Sequence, residues 1–159
     1  MLIRLTSHPA SITGSIMRIT TRLDHLAIAA NDTTAMVRWY EKVLGLVVHV
    51  ESGPNAPQTQ KVYLIGPPVD AVAGGTAGVR QGMMIEVMPR NDNSRHERAC
   101  HDPGLSHAAW CVTNFDAALR HLQQCNVKFI SDVITAVGGG RVISFLDCEG
   151  NMMQIVERR

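Results

Sequence analysis

The feature that most constrains this chain is a faint internal duplication. Leu23-Asp24-His25-Leu26-Ala27 returns 82 residues later as Leu105-Ser106-His107-Ala108-Ala109. At the same offset Ala35 meets Ala117, Val37 meets Leu119 and Arg38 meets Arg120. Identity is thin, but the order of element types is the same in both stretches. A duplicated supersecondary unit implies two copies packed together, because one copy alone cannot bury its apolar face.

Each copy reads as a strand, a helix and three further strands. The first strands are expected at Arg22 to Ala29 and Ser106 to Val112. Asp32 or Thr33 offers a side-chain acceptor to the free backbone N–H groups opening the first helix, and Asn114 does so for the second. The first helix, Thr33 to Leu44, places Met36, Val37, Tyr40, Val43 and Leu44 on one face. The second, Phe115 to Cys125, buries Phe115, Ala118, Leu119 and Leu122. Gly45 and Asn126 follow them, where a left-handed terminal residue is expected. The remaining strands are Leu46 to Glu51, Lys61 to Ile65 and Gly82 to Met88, then Val127 to Ser131, Arg141 to Leu146 and Met152 to Glu157. Pro67 to Arg80 has no counterpart in the second copy and is rich in Pro, Gly and Ala, which reads as a mobile surface loop. The expected fold is α+β: two βαβββ modules in tandem, forming a half-open mixed β-sheet cleft with flanking helices. Residues 18–90 make the first module, 91–103 a polar linker and 104–159 the second, after a flexible extension over 1–17.

Strand periodicity then locates the chemistry. Side chains alternate across a strand, so His25 shares a face with Leu23, Ala27 and Ala29, and His107 shares one with Leu105, Ala109 and Cys111. Beyond the first position these faces carry small residues, as a cleft needs. The last strand of the first module holds Glu86 between Met84 and Met88, where a charge is costly unless paired or metal-bound. Gln154 occupies the same place in the second module. His25 and Glu86 lie 61 residues apart, His107 and Gln154 lie 47 apart, and the 14-residue insertion accounts for the difference. Two imidazoles, a carboxylate and an amide oxygen make a four-ligand N/O set suited to one divalent ion of the Zn, Ni, Co, Mn or Fe type. Such an ion polarises adjacent substrate oxygens, and a carboxylate beside it can carry a proton. Glu157 falls on the opposite strand face and reads as a surface charge. His8, His49, His96, His101 and His121 read as solvated.

Composition removes several alternatives. The net charge is +1, and only 4% of the residues are aromatic. Neither a basic face nor a base-stacking platform is expected, so nucleic acid is not a partner. Cys100, Cys111, Cys125 and Cys148 form no C-x-x-C pair, which argues against a zinc knuckle and fits a reducing compartment. No apolar run reaches bilayer-spanning length, so no membrane association is expected. The cytoplasm is the expected location. The basic, acid-free stretch over residues 1–22 would send the chain to mitochondria if it acts as a transit peptide. Met17 offers a second plausible start.

Four segments together resemble the vicinal oxygen chelate superfamily, which includes glyoxalase I, methylmalonyl-CoA epimerase, extradiol dioxygenases and bleomycin and fosfomycin resistance proteins. They are Leu23-Asp24-His25-Leu26-Ala27-Ile28, Trp39-Tyr40-Glu41-Lys42-Val43-Leu44-Gly45-Leu46, Gly104-Leu105-Ser106-His107 and Phe145-Leu146-Asp147-Cys148-Glu149-Gly150-Asn151. The resemblance covers residues 20 to 158. It implies a metal held by His25, Glu86, His107 and Gln154, a small-molecule substrate and a homodimer. The chain departs from bacterial glyoxalase I at Gln154, where that enzyme has Glu, and at Cys148, where the usual turn has Pro. The change at 154 leaves Glu86 as the base candidate at the metal. The Arg and Asn signatures that hold glutathione are not evident around Glu86 or His107. The expected activity is that of a glyoxalase-like lyase or isomerase working through an enediolate. The alternatives are an Fe(II) ring-cleaving dioxygenase using His25, His107 and Glu86, and a metal-free ligand-sequestering protein of the bleomycin-resistance kind.

Overall fold

The computed structural model describes residues 23–68, 83–97, 99 and 101–158. The expected N-terminal extension and nearly all of the Pro67 to Arg80 loop lie outside these residues. Strand β1 (His25–Ala30) leads into helix α1 (Thr33–Leu44), then β2 (Val47–Ser52), β3 (Val62–Gly66) and β4 (Met84–Pro89). The second half repeats the plan with β5 (Ala108–Cys111), α2 (Phe115–Gln124), β6 (Lys128–Phe129), β7 (Ile134–Thr135), β8 (Arg141–Leu146) and β9 (Met152–Glu157). A single 3₁₀ turn, Gln58–Gln60, interrupts the β2–β3 connection.

The strands form two separate mixed sheets of matching topology. The first runs β1-β4-β3-β2, and the second runs β5-β9-β8-β6 with β7 added beside β8. In each, the opening strand lies parallel to the closing one and the rest are antiparallel. Strand β7 is the difference. It was not foreseen, and the turn after it folds Ala136 over Val142 and Val156 in a small apolar cluster of its own. Gly140 closes that turn at φ +87°, and a Cβ there would fall 1.8 Å from the Glu157 carbonyl oxygen, so no side chain fits.

The helices form where their end signals sit. Asp32 accepts from the Ala35 N–H at 2.9 Å, and Asn114 accepts from the Ala117 N–H at 3.0 Å. Gly45 (φ +66°) and Asn126 (φ +55°) turn left-handed after them. Helix α1 buries Met36, Val37, Tyr40 and Val43, whereas α2 buries Phe115 and Leu122. Both apolar stripes enter one core with Ile65, Ile85 and Val87 of the first sheet and Ile143, Phe145, Met153 and Ile155 of the second. The two halves therefore share a core. Truncating a core residue such as Phe145 to Ala is expected to cost about 3–5 kcal/mol.

Polar contacts join the halves at one corner. The Tyr40 hydroxyl donates to Asp147 at 2.9 Å, and Asp147 also accepts from Asn151 Nδ2 and from the backbone N–H groups of Glu149 and Asn151. Asp147 is only 6% exposed, so these four donors stabilise a charge that burial would otherwise disfavour. Burial and the neighbouring carboxylate together hold the Tyr40 hydroxyl protonated far above its ordinary range. Glu149 reaches back to the first half and accepts from the Asn31 backbone and side chain. Among the described residues no helix is long and apolar enough to cross a membrane.

Candidate functional site

Because odd-numbered residues of β4 and β9 (Ile85, Val87, Met153, Ile155) face the helices, the even-numbered ones face away. Glu86 and Gln154 thus stand on the open side of their sheets. The open side of β1 carries His25, Ala27 and Ala29, and that of β5 carries Ala109 and Cys111; the alanines and the cysteine are exposed, and β5 begins two residues later than expected, so His107 lies just ahead of it. The register sets Ala27 against Glu86 and Ala109 against Gln154, so His25 lies diagonal to Glu86 across a parallel pair.

The structure brings His25 and Glu86 together. His25 Nε2 lies 3.2 Å from Glu86 Oε2, with the side chains 39% and 29% exposed. Two ligands at about 2.1 Å from one ion and roughly at right angles stand about 3.0–3.2 Å apart, so this pair already has chelating separation. The donors also fit, being one imidazole nitrogen and one carboxylate oxygen on a face open to solvent. On the other ring edge, His25 Nδ1 is 3.0 Å from Asp24 Oδ2. That hydrogen bond raises the His25 pKa; burial opposes it, and the Glu86 and Asp24 charges add to the rise.

In the second half, His107 lies just ahead of β5 and Gln154 stands in β9. His107 Nδ1 lies 3.0 Å from Ser106 Oγ, and Gln154 Nε2 donates to Ser144 Oγ at 3.0 Å. Among the described residues of one chain, no three His, Cys, Asp or Glu side chains gather closely enough to hold a metal. The His25–Glu86 pair belongs to the first sheet and Gln154 to the second. A cleft of about 800 Å³ runs between the β1 edge and the start of β5, with Leu26, Ile28 and Met153 as apolar lining, His107 at one side, and Arg95 and His96 at the rim.

Sequence reasoning named the four candidate ligands but not the groups that hold them. Asp24 and Ser106 were visible in principle, since they occupy equivalent repeat positions. Ser144 becomes apparent only through the β8–β9 register, which sets it directly opposite Gln154. Two further readings need correction. Glu157 is a clamp rather than a free surface charge: it binds Arg141 at 3.1 Å and accepts from the Phe115 N–H that opens α2. His49 and His121 are not simply solvated, because their Nε2 atoms lie 3.0 Å from the Pro67 carbonyl and 3.1 Å from the Val43 carbonyl.

With this geometry in view, comparison with known proteins is informative. Residues 24–145 match the sequence model of the Glyoxalase/Bleomycin resistance protein/Dioxygenase superfamily. Among solved structures, a glyoxalase family protein from Enterococcus faecalis aligns with a TM-score of 0.65 at 16% identity, over 88% of this chain and 100% of that one. The trypanothione-dependent glyoxalase I of Leishmania major aligns with 0.60 at 14%, over 87% of both chains. A lactoylglutathione lyase from Agrobacterium tumefaciens aligns with 0.58 at 15%, over 88% of this chain and 96% of that one. No curated protein matches at the level of sequence. At these identities the structural likenesses establish the fold, and the sequence model establishes the family: the chain belongs to the glyoxalase/bleomycin resistance protein/dioxygenase superfamily.

Proposed function

We propose that this chain is a metal-dependent lyase or isomerase that moves a proton at a carbon beside a carbonyl of a small oxygenated substrate. His25, Glu86, His107 and Gln154 would surround one divalent ion, of the Zn, Ni, Co, Mn or Fe type. The observation that carries the reading is the His25–Glu86 pair, at chelating separation on an open sheet face and echoed by His107 and Gln154 on the other sheet. When bound, the ion supplies charge stabilisation to the oxygen that becomes anionic as the proton leaves.

The chain's own residues account for the proton. Glu86 is a carboxylate, 29% exposed, with Leu64 opposite it and Ala27 beside it. Gln154 cannot accept a proton at neutral pH, which leaves Glu86 as the acid–base group of the four. A positioned base of this kind is worth about 10²–10⁴ in rate.

The same reading includes a second copy of the chain. The ligand-bearing faces of both sheets are open, and each is edged by an exposed leucine at an equivalent position: Leu23 at 60% and Leu105 at 67%. Large apolar residues standing free beside a half-site are what a partner would cover. A two-fold dimer that sets the first sheet of one chain against the second sheet of the other completes two sites.

A mixing experiment tests this. His25→Ala and His107→Ala each lose metal alone. A statistical mixture of the two, in a dimer that shares its sites, recovers about a quarter of the wild-type metal, because half the dimers are mixed and each mixed dimer keeps one whole site. No recovery on mixing would place the site within one chain. Deuterium uptake from D₂O into small α-hydroxy carbonyl compounds, present in the wild type and lost in Glu86→Gln, tests the chemistry. Uptake by Glu86→Gln at the wild-type rate would remove Glu86 as the base.

A further inference from the structure

The cleft between the halves has an apolar body and a cationic rim. Leu26 and Ile28 line it from the first half, and Ile130, Leu146, Met152 and Met153 from the second. Its volume of about 800 Å³ is within the range of small-molecule sites. Ile130 is 40% exposed, a large apolar side chain that an alkyl group lying in the cleft would cover. The paired methionines on the same wall adapt to irregular shapes. His25, Glu86 and Gln154 do not line this cleft, so a ligand in it needs no metal. We propose that the cleft binds a small carboxylate with an apolar tail, its carboxylate on Arg95 and its tail against Ile130 and Met152.

The state of Arg95 carries the argument. Its guanidinium donates to the Glu149 carbonyl, to the Gly150 carbonyl at 3.0 Å and to Asn151 Oδ1 at 3.1 Å. These three bonds fasten the linker to the β8–β9 turn and hold the guanidinium at the rim. All three acceptors are neutral, and among the described residues Arg95 makes no salt bridge. The Glu149 carboxylate is occupied elsewhere: it accepts from the Asn31 N–H at 2.8 Å, from Asn31 Nδ2 at 2.7 Å and from the Asp32 N–H at 3.3 Å. Glu97, the other carboxylate on the rim, is exposed, where water and salt screen its charge. Arg95 is therefore a positioned cation whose charge no carboxylate of the chain answers. Three of its five N–H groups are engaged, and two remain for the two oxygens of a carboxylate. Apolar residues behind a fixed cation select for an anion with an alkyl or aryl body, because a bare anion gains nothing from the wall and a neutral apolar molecule gains nothing from the guanidinium.

Calorimetric titration of the full chain with octanoate and with its neutral match octanamide tests this, in the presence and absence of EDTA. The wild type binds octanoate at least about tenfold more tightly than octanamide, the usual worth of a charge-assisted hydrogen bond. Arg95→Gln brings octanoate down to the affinity of octanamide and leaves octanamide binding at the wild-type value, which shows the cleft intact. Ile130→Gln weakens both probes alike. In the ¹⁵N-labelled wild type, the amide signals of Ile130 and Met152 move with both probes, and the Arg95 Nε–H signal moves with octanoate alone. Four results each overturn the proposal: no binding of either probe, equal wild-type affinity for the two, octanoate binding unchanged in Arg95→Gln, or probe-induced shifts that miss Ile130, Met152 and Arg95. Loss of octanoate binding in EDTA also overturns it, since the carboxylate would then sit on a metal ion. The wild-type shifts decide the matter even if Arg95→Gln proves unstable, and the EDTA arm keeps the result separate from the fate of the metal-site reading.

Discussion

The two halves of this molecule share a backbone plan but carry different chemistry. Strand order, the parallel pairing of first and last strands, and helices capped by Asp32 and Asn114 are common to both. The open faces differ. The first bears His25 and Glu86, with Asp24 behind the imidazole. The second bears Gln154, bonded to Ser144, with His107 and Ser106 just ahead of β5, and its far end is covered by the turn that follows β7. Of the candidate ligands and their hydrogen-bond partners, the carboxylates thus lie in the first half. Duplication supplies a symmetric scaffold; on the proposed reading one half would hold charge and move the proton while the other would coordinate without titrating.

The largest expected effects come from altering that assignment. Glu86→Gln lowers proton exchange about 10²–10⁴-fold, measured by deuterium uptake. The paired exchange Glu86→Gln/Gln154→Glu moves the carboxylate to the other sheet. If the halves are interchangeable as metal scaffolds, the swapped protein holds metal within about tenfold of wild type, a 1.4 kcal/mol difference, by equilibrium dialysis. Loss of metal from the swap would show that the halves are specialised in shape as well as charge. Next in size is the corner where the halves meet. Tyr40→Phe removes one donor from the buried Asp147 and is expected to lower unfolding free energy by about 1–3 kcal/mol in urea titration.

Smaller effects probe the likeness rather than the difference. Asp32→Ala and Asn114→Ala each remove a side-chain cap and should each cost about 1 kcal/mol. Clearly unequal losses would mean that the shared plan does not extend to energetics. The smallest effect concerns pH. Arg141 hydrogen-bonds Glu157 and Asp116, and the Arg141 hydrogen bond in particular lowers the Glu157 pKa. A depressed folded-state pKa contributes stability above the unfolded carboxylate pKa, and that stability is lost as pH falls through the folded value. Arg141→Gln should therefore lower the thermal midpoint slightly at neutral pH, and the gap from wild type should close on acidification below the ordinary carboxylate range.

Much of this was legible in the sequence because it is local. A cap acts three residues away, a left-handed terminus is a single residue, and alternation along a strand assigns its faces. The offset of 82 residues aligned His25 with His107, and the 14-residue insertion brought Glu86 and Gln154 into step. What escaped depends on segments far apart in the chain. The acceptor for His121 is the Val43 carbonyl, 78 residues away, and periodicity within α2 cannot reveal it. Ser144 becomes a neighbour of Gln154 only once an antiparallel register is fixed. Strand β7 is two residues long and takes its identity from pairing with β8, not from an apolar pattern of its own. Convergence of the two pairs, as proposed, would be a property of assembly, which periodicity along a single chain does not encode.

Metal stoichiometry is the most direct test of the account. Wild-type chain, His25→Ala and His107→Ala would be dialysed to equilibrium against Zn²⁺ and the bound metal counted per chain. One ion per chain in the wild type, and none in either single variant, is the predicted result, because each half supplies part of one site. Full occupancy in His107→Ala would contradict it, since His25 and Glu86 would then be holding the ion without the second sheet.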